Sequence, residues 1–554
     1  MNRAQNLDVL KSKDAFDLVI VGGGATGLGI AVDAAARGYR VALVEQSDFA
    51  KGTSSRSTKL IHGGVRYLKQ GDIALVRHAL IERGRLLHNA PHLAQMREFV
   101  IPNYSHFDHL FYGVGLKFYD GLAGRLGVRR SQLLSCENTM SRLPTLINHH
   151  LKGGVSYYDG QFDDARLAVN LAQTASEYGA VLVNYCQCVG FIHQNGRVAG
   201  IRVRDSEPGA NGDTFEIFAK AVVNATGVFV DDLRTLDDPH STEMVTVSQG
   251  THLVLPKKFL PGESALMVPK TADGRVLFAV PWHECLILGT TDIPRPAADL
   301  EPRPLPEEYE FLMTHARKYL SLAPSDGDVL SVFAGLRPLV KAKHSGSTAR
   351  LSRDHTIAAG KSGLLTITGG KWTTYRHMAE DLLGFAQKLN LLEARPCTTA
   401  DMRLHGAGTQ DQPDHSAPLS VYGTDADGIR ALAAKDPSLA QPLHPAFPYL
   451  RAEVIWHVRH EMARTVEDVL ARRTRALLLN ARVSAQAAPA VAQLMAAELG
   501  RNSDWQRSQC QAYAQLARGY TVEGSNVAFP ANGAPLAFPH PDQASAVLLG
   551  ASAQ

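Results

Sequence analysis

FDLVIVGGGATGLGIAVDAAARGYRVALVE, residues 16–45, is the stretch whose reading decides the fold. An apolar run from Phe16 to Val21 stops at three glycines, an alanine-rich helical stretch follows, and a second apolar run from Val41 ends on Glu45. That order is strand, tight turn, helix, strand, a complete βαβ unit. Gly22, Gly24 and Gly27 satisfy G-x-G-x-x-G directly after the first strand. The first glycine turns the chain, the second lets a pyrophosphate approach backbone N–H groups, and the third admits close helix packing. Glu45 closes the second strand at the distance where a carboxylate accepts both ribose hydroxyls of an adenosine. A 2′-phosphate is repelled there, which disfavours NADP.

Outward from this unit the chain does not enter another βαβ repeat, as a simple NAD dehydrogenase would. It runs into KGTSSRSTKLIHGGVRYL, residues 51–68. The hydroxyls, glycines and basic groups suit a second run of donors along the same cofactor, with Thr53, Ser54, Ser55, Lys59, His62 and Gly63 as candidates. Leu60, Ile61, Val65 and Leu68 are interspersed, which argues against a plain solvated loop.

The 554 residues allow two or three domains, and 45% hydrophobic with 20% charged residues is the balance of a globular protein. A formal charge of +3 is too small to point to nucleic acid, so an anionic partner must be recognised locally. The six cysteines form no C-x-x-C pair, so neither a disulfide framework nor a metal site is expected and the compartment reads as reducing. The first residues, MNRAQNLDVLKSKDAF, lack an apolar core, and no later stretch offers about 18 uninterrupted apolar residues. The expectation is a chain neither secreted nor membrane-spanning.

The βαβ stretch and the GTSSRSTKLIHGGVRYL run resemble the FAD-containing glycerol-3-phosphate dehydrogenases, within the D-amino-acid-oxidase-like flavoprotein class. The likeness recurs at FDDARLAVNLA (162–172), VVNATGVFVDDL (222–233), GTHLVL (250–255), LILGTTD (286–292), FAGLRPLV (333–340) and TGGKWTTYRHMAE (368–380). It implies an α/β fold, in which a Rossmann-type FAD-binding domain interleaves with a β-rich substrate domain and a small C-terminal helical domain follows. It also implies FAD as cofactor, with Val189, Ala225, Gly227, Gly370, Lys371 and Thr373 beside it.

Oxidising a secondary alcohol needs an electron-pair acceptor, a group for the hydroxyl proton, and positive charge for a phosphate; FAD supplies only the first. By resemblance, Arg66 and Lys371 clamp the phosphate with Tyr67 as a phenolic donor, Arg forking bidentately and Lys acting as a point charge. Arg337 reaches the substrate near the reacting carbon, on a phosphate oxygen or on the developing alkoxide. His252 matches the candidate general base. Arg66, Arg337 and Lys371 each sit beside glycine or proline and read as loop residues. In TGGKWTTYRHMAEDLLGFAQKL, Gly369 and Gly370 open an amphipathic helix whose apolar side is Met378, Leu382, Leu383, Phe385 and Leu389, with a partly positive N-terminus toward the flavin.

The expected organisation is residues 15–400 for the interleaved FAD and substrate domains, a linker at 401–420, a helical domain at 421–524 and a disordered tail at 525–554. Apolar residues at helical spacing from Val454 to Leu470 mark the helical part. Glu453, Glu461, Glu467 and Asp468 interrupt the charge of Arg464, Arg472, Arg473 and Arg475, which argues against a nucleic-acid helix. FDHLFYGVGLKFYDGLAGRLGVRR (107–130) reads either as a membrane-surface segment or as a buried helix with a basic end, the latter favoured. The resemblance implies glycerol 3-phosphate and a membrane quinone as partners, peripheral attachment at the cytoplasmic face of the inner membrane, and a homodimer as the candidate assembly. Dioxygen as acceptor, or an amino- or hydroxy-acid substrate, is the alternative.

Overall fold

The computed structural model describes residues 1–12, 14–64, 73–105, 111–113, 115–117, 119, 121, 129–271, 274–341, 355–409 and 413–525. Arg66, Tyr67, much of the 107–130 segment and the expected tail beyond Ser525 lie outside them.

The runs LVIV and VALV form β1 (Phe16–Val21) and β2 (Val41–Val44), buried on both faces as parallel strands are. Between them α1 (Ala25–Ala36) starts at the glycine corner. A Cβ on Gly27 would stand 1.9 Å from the Gly22 carbonyl oxygen, and one on Gly29 2.8 Å from the Tyr375 ring. Both glycines are therefore packing requirements, one toward the turn and one toward a neighbouring helix.

From α2 (Asp164–Glu177) the chain enters β3 (Val181–Val183), and after a hairpin it returns through β4 (Thr214–Asn224). Leu365–Gly369, β4, β1, β2 and β3 lie side by side and parallel, with His355–Ala359 antiparallel at one edge. The apolar run at residues 181–191, VLVNYCQCVGF, is divided between two strands. It breaks at Tyr185, in left-handed backbone at φ 51°, and resumes as Cys186–Gln194.

A second sheet has ten strands among the described residues. Toward one edge stands β5 (Val245–Pro256), which pairs antiparallel with β6 (Cys285–Gly289) and along its length with β7 (Ser331–Val340). Strand alternation sends Gly250 and His252 to one face and Gln249 and Thr251 to the other. On that other face α3 (Pro306–Tyr319) places Glu308, fully buried, to accept from Gln249 Nε2 (2.6 Å), Thr251 Oγ1 (2.7 Å), Leu305 N (2.9 Å) and Thr291 Oγ1 (2.5 Å).

The chain then re-enters the first sheet through β8 (Leu365–Gly369) and α4 (Tyr375–Lys388). The helix begins five residues after Gly370, past a 3-10 turn at Trp372–Thr374. Met378, Leu382 and Leu383 are buried as expected and Phe385 is half-buried, but Leu389 lies past the last turn and is 41% exposed.

Three observations concern the C-terminal part. The expected linker is docked where described: Leu404 is buried and His405 bridges Glu177 and Asp425. The helix α5 (Arg451–His460) stops before Met462, whose φ is 56°, so the helical spacing read through to Leu470 spans two elements. Of the four arginines named in this run, Arg472, Arg473 and Arg475 are buried. Arg472 and Arg473 both close on Asp48, Arg475 on Asp164 (2.9 Å), and Arg166 forks onto Glu461 at 2.6 and 2.8 Å. Removing one partner from such a buried pair typically costs about 3–5 kcal/mol, because its counterpart is left charged and dry. Val454, Val466, Leu470 and Leu477 share a core with Val254, Ile287 and Phe333, so these helices pack directly on the second sheet.

Candidate active site

Two adjoining cavities open between the sheets. The first, about 540 Å³, runs past Gly22, Gly24, Glu45, Thr53, Ser54, Ala225, Gly227, Gly370 and Lys371. The second, about 310 Å³, is lined by Thr53, Thr58, His62, His252, Thr290, Arg337, Gly370, Lys371 and Thr373. Thr53, Gly370, Lys371 and Trp372 belong to both walls and mark the junction.

Each end of the first cavity follows from local chain geometry. Gly22 turns at φ 115°, and a Cβ there would press within 2.7 Å of the Ala225 carbonyl oxygen. Glu45 accepts from Gly23 N (2.6 Å) and Ser47 N (2.9 Å), which fixes its carboxylate at the cavity mouth. Burial raises its pKa despite those two donors. Ser54 Oγ accepts from Ala25 N at the start of α1 (2.9 Å), and Thr53 Oγ1 donates to the Leu336 carbonyl, tying the hydroxyl-rich run to β7.

Other candidates fall elsewhere. Ser55 is buried away from both cavities, and its carbonyl accepts from Lys59 Nζ (2.7 Å) and Arg475 (2.9 Å). Lys59 is fully buried, with its ammonium on Asp164 at 2.6 Å. Gly63 sits behind the second cavity, its N–H on Tyr119 Oη (3.0 Å). Val189 lies at a bulge between Cys188 and Gly190; it is Gln187 and Cys188 that face the first cavity. Arg337 stands mid-strand on β7 and is not a loop residue.

In the second cavity Arg337 reaches Thr290 Oγ1 (3.0 Å) and Asp292 (3.4 Å). It crosses directly over Gly250, where a Cβ would come within 2.2 Å of its Nη2. His252 is 2% exposed and stacks on Phe333 at 4.7 Å. Its Nε2 is hydrogen-bonded to Thr58 Oγ1 at 2.9 Å. Burial, then the charges of Arg337 and Lys59, hold the imidazole pKa well below the ordinary histidine value, so the ring is neutral. For Lys59, burial and then the Arg475 charge outweigh Asp164 and bring the ammonium down to about 7.

A family model described as FAD dependent oxidoreductase matches residues 17–376, and one for the C-terminal domain of alpha-glycerophosphate oxidase matches 365–509. A probable mitochondrial glycerol-3-phosphate dehydrogenase from Caenorhabditis elegans is 40% identical over 539 residues, covering 92% of this chain and 74% of the relative. The human mitochondrial glycerol-3-phosphate dehydrogenase is 38% identical, over 94% of this chain and 75% of its own length. The solved glycerol-3-phosphate dehydrogenase of Bacillus halodurans, complexed with FAD, superposes with a TM-score of 0.76 at 30% identity, covering 96% of this chain and 99% of that one.

The chain belongs to the FAD-dependent oxidoreductases, among the glycerol-3-phosphate dehydrogenases. Its cofactor is accordingly FAD, and the first cavity suits it. Gly24 and Thr26, at the turn into α1, line it where a helix N-terminus favours a diphosphate, and Glu45 keeps oxygen lone pairs for ribose hydroxyls. The Gly369–Gly370 turn, at φ 80° and 71°, brings backbone to the junction where a side chain on Gly370 would strike Met378. Thr58 and Thr290 line the second cavity and Asp292 meets Arg337 there, but none of the three was singled out from sequence. Thr290 and Asp292 stand inside the LGTTD motif, and Thr58 is one hydroxyl among several in its run.

Proposed function

We propose that the chain oxidises sn-glycerol 3-phosphate to dihydroxyacetone phosphate and passes the electrons to a membrane quinone. The observation that carries this reading is one cavity holding two cationic side chains, Arg337 and Lys371, beside a neutral histidine and against the cofactor cavity. A phosphate dianion answers that charge better than a lone carboxylate does. Arg337 and Lys371 bind the phosphate, with Arg66 and Tyr67 joining them by family resemblance. His252 serves as proton acceptor for the C2 hydroxyl, its pKa too low for the ring to be charged in advance. FAD, when bound, accepts the hydrogen and electron pair from C2. Enclosure between the two sheets excludes water from the reacting carbon.

The acceptor and the membrane are part of the same proposal. Among the described residues no helix is long and apolar enough to cross a membrane. Phe111 and Leu133 are exposed, Leu133 standing against the backbone at Gly113, and exposed Arg129 and Arg130 lie just ahead of the short strand Gln132–Leu134 that carries Leu133. Apolar and basic side chains at one edge suit the surface of an anionic bilayer, the cytoplasmic face of the inner membrane.

Anaerobic addition of glycerol 3-phosphate to the purified yellow protein should bleach the flavin band. A band that persists sinks the substrate assignment, and recovery of colour with a quinone analogue or with oxygen identifies the acceptor. Lys371→Ala should retain FAD while raising KM about 10- to 100-fold, the loss of one charged hydrogen bond of about 1.5–3 kcal/mol. Unchanged kinetics would remove Lys371 from the phosphate site.

A further inference from the structure

The His252 imidazole, 2% exposed at the cavity wall, is packed closely along one face and one edge. Phe333 covers one face with the rings 12° from parallel. The backbone at Gly289 lies along its edge, so close that a Cβ there would stand 2.2 Å from Cδ2 and 2.9 Å from Nε2. Its Nδ1 is buried without a hydrogen-bond partner among the described residues. The other ring nitrogen, Nε2, is hydrogen-bonded to Thr58 Oγ1 at 2.9 Å.

Thr58 itself faces the same cavity as Thr290, Arg337 and Lys371. Its position is held from both sides by one buried carboxylate. Asp164 accepts from Ser57 N (3.1 Å), Ser57 Oγ (2.7 Å) and Lys59 Nζ (2.6 Å), and Arg475 secures Asp164 from behind. The hydroxyl is therefore a fixed part of the wall between the substrate cavity and the histidine.

We propose that Thr58 receives the proton of the substrate's C2 hydroxyl and hands its own to His252 Nε2, so that the imidazole acts through the threonine. The proposal rests on the substrate reading above. As the C2–H hydrogen leaves with its electron pair for FAD, the substrate O–H bond breaks and a new O–H bond forms on Thr58 Oγ1. The original Thr58 O–H bond breaks as an N–H bond forms on His252. C2 is oxidised to the carbonyl, FAD is reduced by two electrons, and one proton rests on the imidazole. The cations Arg337 and Lys59 oppose charge on that ring when the site is empty of substrate. A phosphate dianion seated against Arg337 offsets one of them, so the ring becomes a stronger base as substrate binds.

Thr58→Val keeps the shape and removes the hydroxyl; Thr58→Ser keeps the hydroxyl. With FAD-loaded protein under anaerobic conditions, T58V should bleach the flavin about 100-fold more slowly at saturating glycerol 3-phosphate, and T58S should stay within about threefold of the parent. Binding of 2-phosphoglycolate, which has no alcohol to oxidise, should be unchanged in both when read from the shift of the flavin band. A second measurement needs no variant: in mixtures of H2O and D2O the parent rate should fall along a curve bowed below the straight line, because two protons move together. T58V bleaching at the parent rate, T58V losing 2-phosphoglycolate affinity in step with its rate, or a straight line in the mixed solvents overturns the relay. Absence of bleaching in the parent protein would instead sink the substrate reading and the relay with it.

Discussion

Two glycines decide where the reactive side chains can lie. Gly250 leaves the space over which Arg337 extends, and Gly289 leaves the space for the His252 ring. Neither shows a positive φ, so the requirement is steric, imposed from across the sheet. The atoms a Cβ on Gly250 would strike are the guanidinium end of Arg337 and Thr290 Oγ1, both able to move. Gly250→Ala should therefore fold and bind FAD normally while turning Arg337 out of the cavity. KM for glycerol 3-phosphate should rise about 10- to 100-fold, the worth of one charged hydrogen bond, and steady-state kinetics beside a flavin content measurement will show it. Loss of flavin together with activity would mean that the strand, not the arginine, had given way. Sequence exposed Arg337, Lys371 and His252 through their motifs, but it offered nothing for Gly250, whose reason lies in a residue on the neighbouring strand. The same limit applies to Thr58, which is 194 positions from the histidine it meets.

At the scale of elements, β5 works with both faces. One face carries Gly250 and His252 to the cavity, and the other is fastened to α3 by Glu308. Thr291 joins the clamp by donating to Glu308 and accepting from Thr251 N (2.8 Å), which locks the Thr290–Asp292 corner under Arg337. Glu308→Leu should destabilise the protein by about 3 kcal/mol or more, since several buried donors lose their acceptor at about 1–3 kcal/mol each. Glu308→Gln should cost about 1 kcal/mol, because the Thr291 hydroxyl can rotate to accept from the new amide. Equal losses in chemical denaturation would show that charge, not acceptor count, holds the clamp. The β1–α1–β2 unit could be read from residues 16–45 because its signals are local: period, glycine spacing and strand composition. Glu308 could not, because a glutamate in the first turn of a helix reads as an ordinary helix-start residue. The break at Met462 was missed for a related reason. Helical spacing continued across a left-handed residue that no proline or glycine announces.

Across the whole molecule, the C-terminal helices are held to the FAD and substrate sheets by charge as well as by apolar contact. Asp48 and Asp164, both from the N-terminal half, receive Arg472, Arg473 and Arg475. These arginines could not be recognised as internal from sequence, because their partners are more than 300 positions away. Most such pairs involve guanidinium groups that do not titrate in the working range, but His405 does. It donates from one ring nitrogen toward Glu177 on α2 and from the other toward Asp425 (2.8 Å), joining the FAD unit to the start of the C-terminal helices. Burial opposes its charge, yet the hydrogen bond and charge of Asp425, followed by those of Glu177, prevail and raise its pKa above the ordinary histidine value. The sign follows from linkage. A group whose pKa is higher folded than unfolded adds stability that is fully present below the unfolded value, near 6.5, and is lost as pH rises through the folded value. The stability difference between the parent and His405→Asn should accordingly be largest near pH 6 and shrink by pH 9, with the parent more stable at the lower pH. Thermal midpoints of both proteins across that range will measure it; a difference that stays constant with pH would mean that the bridge contributes only as a neutral hydrogen bond.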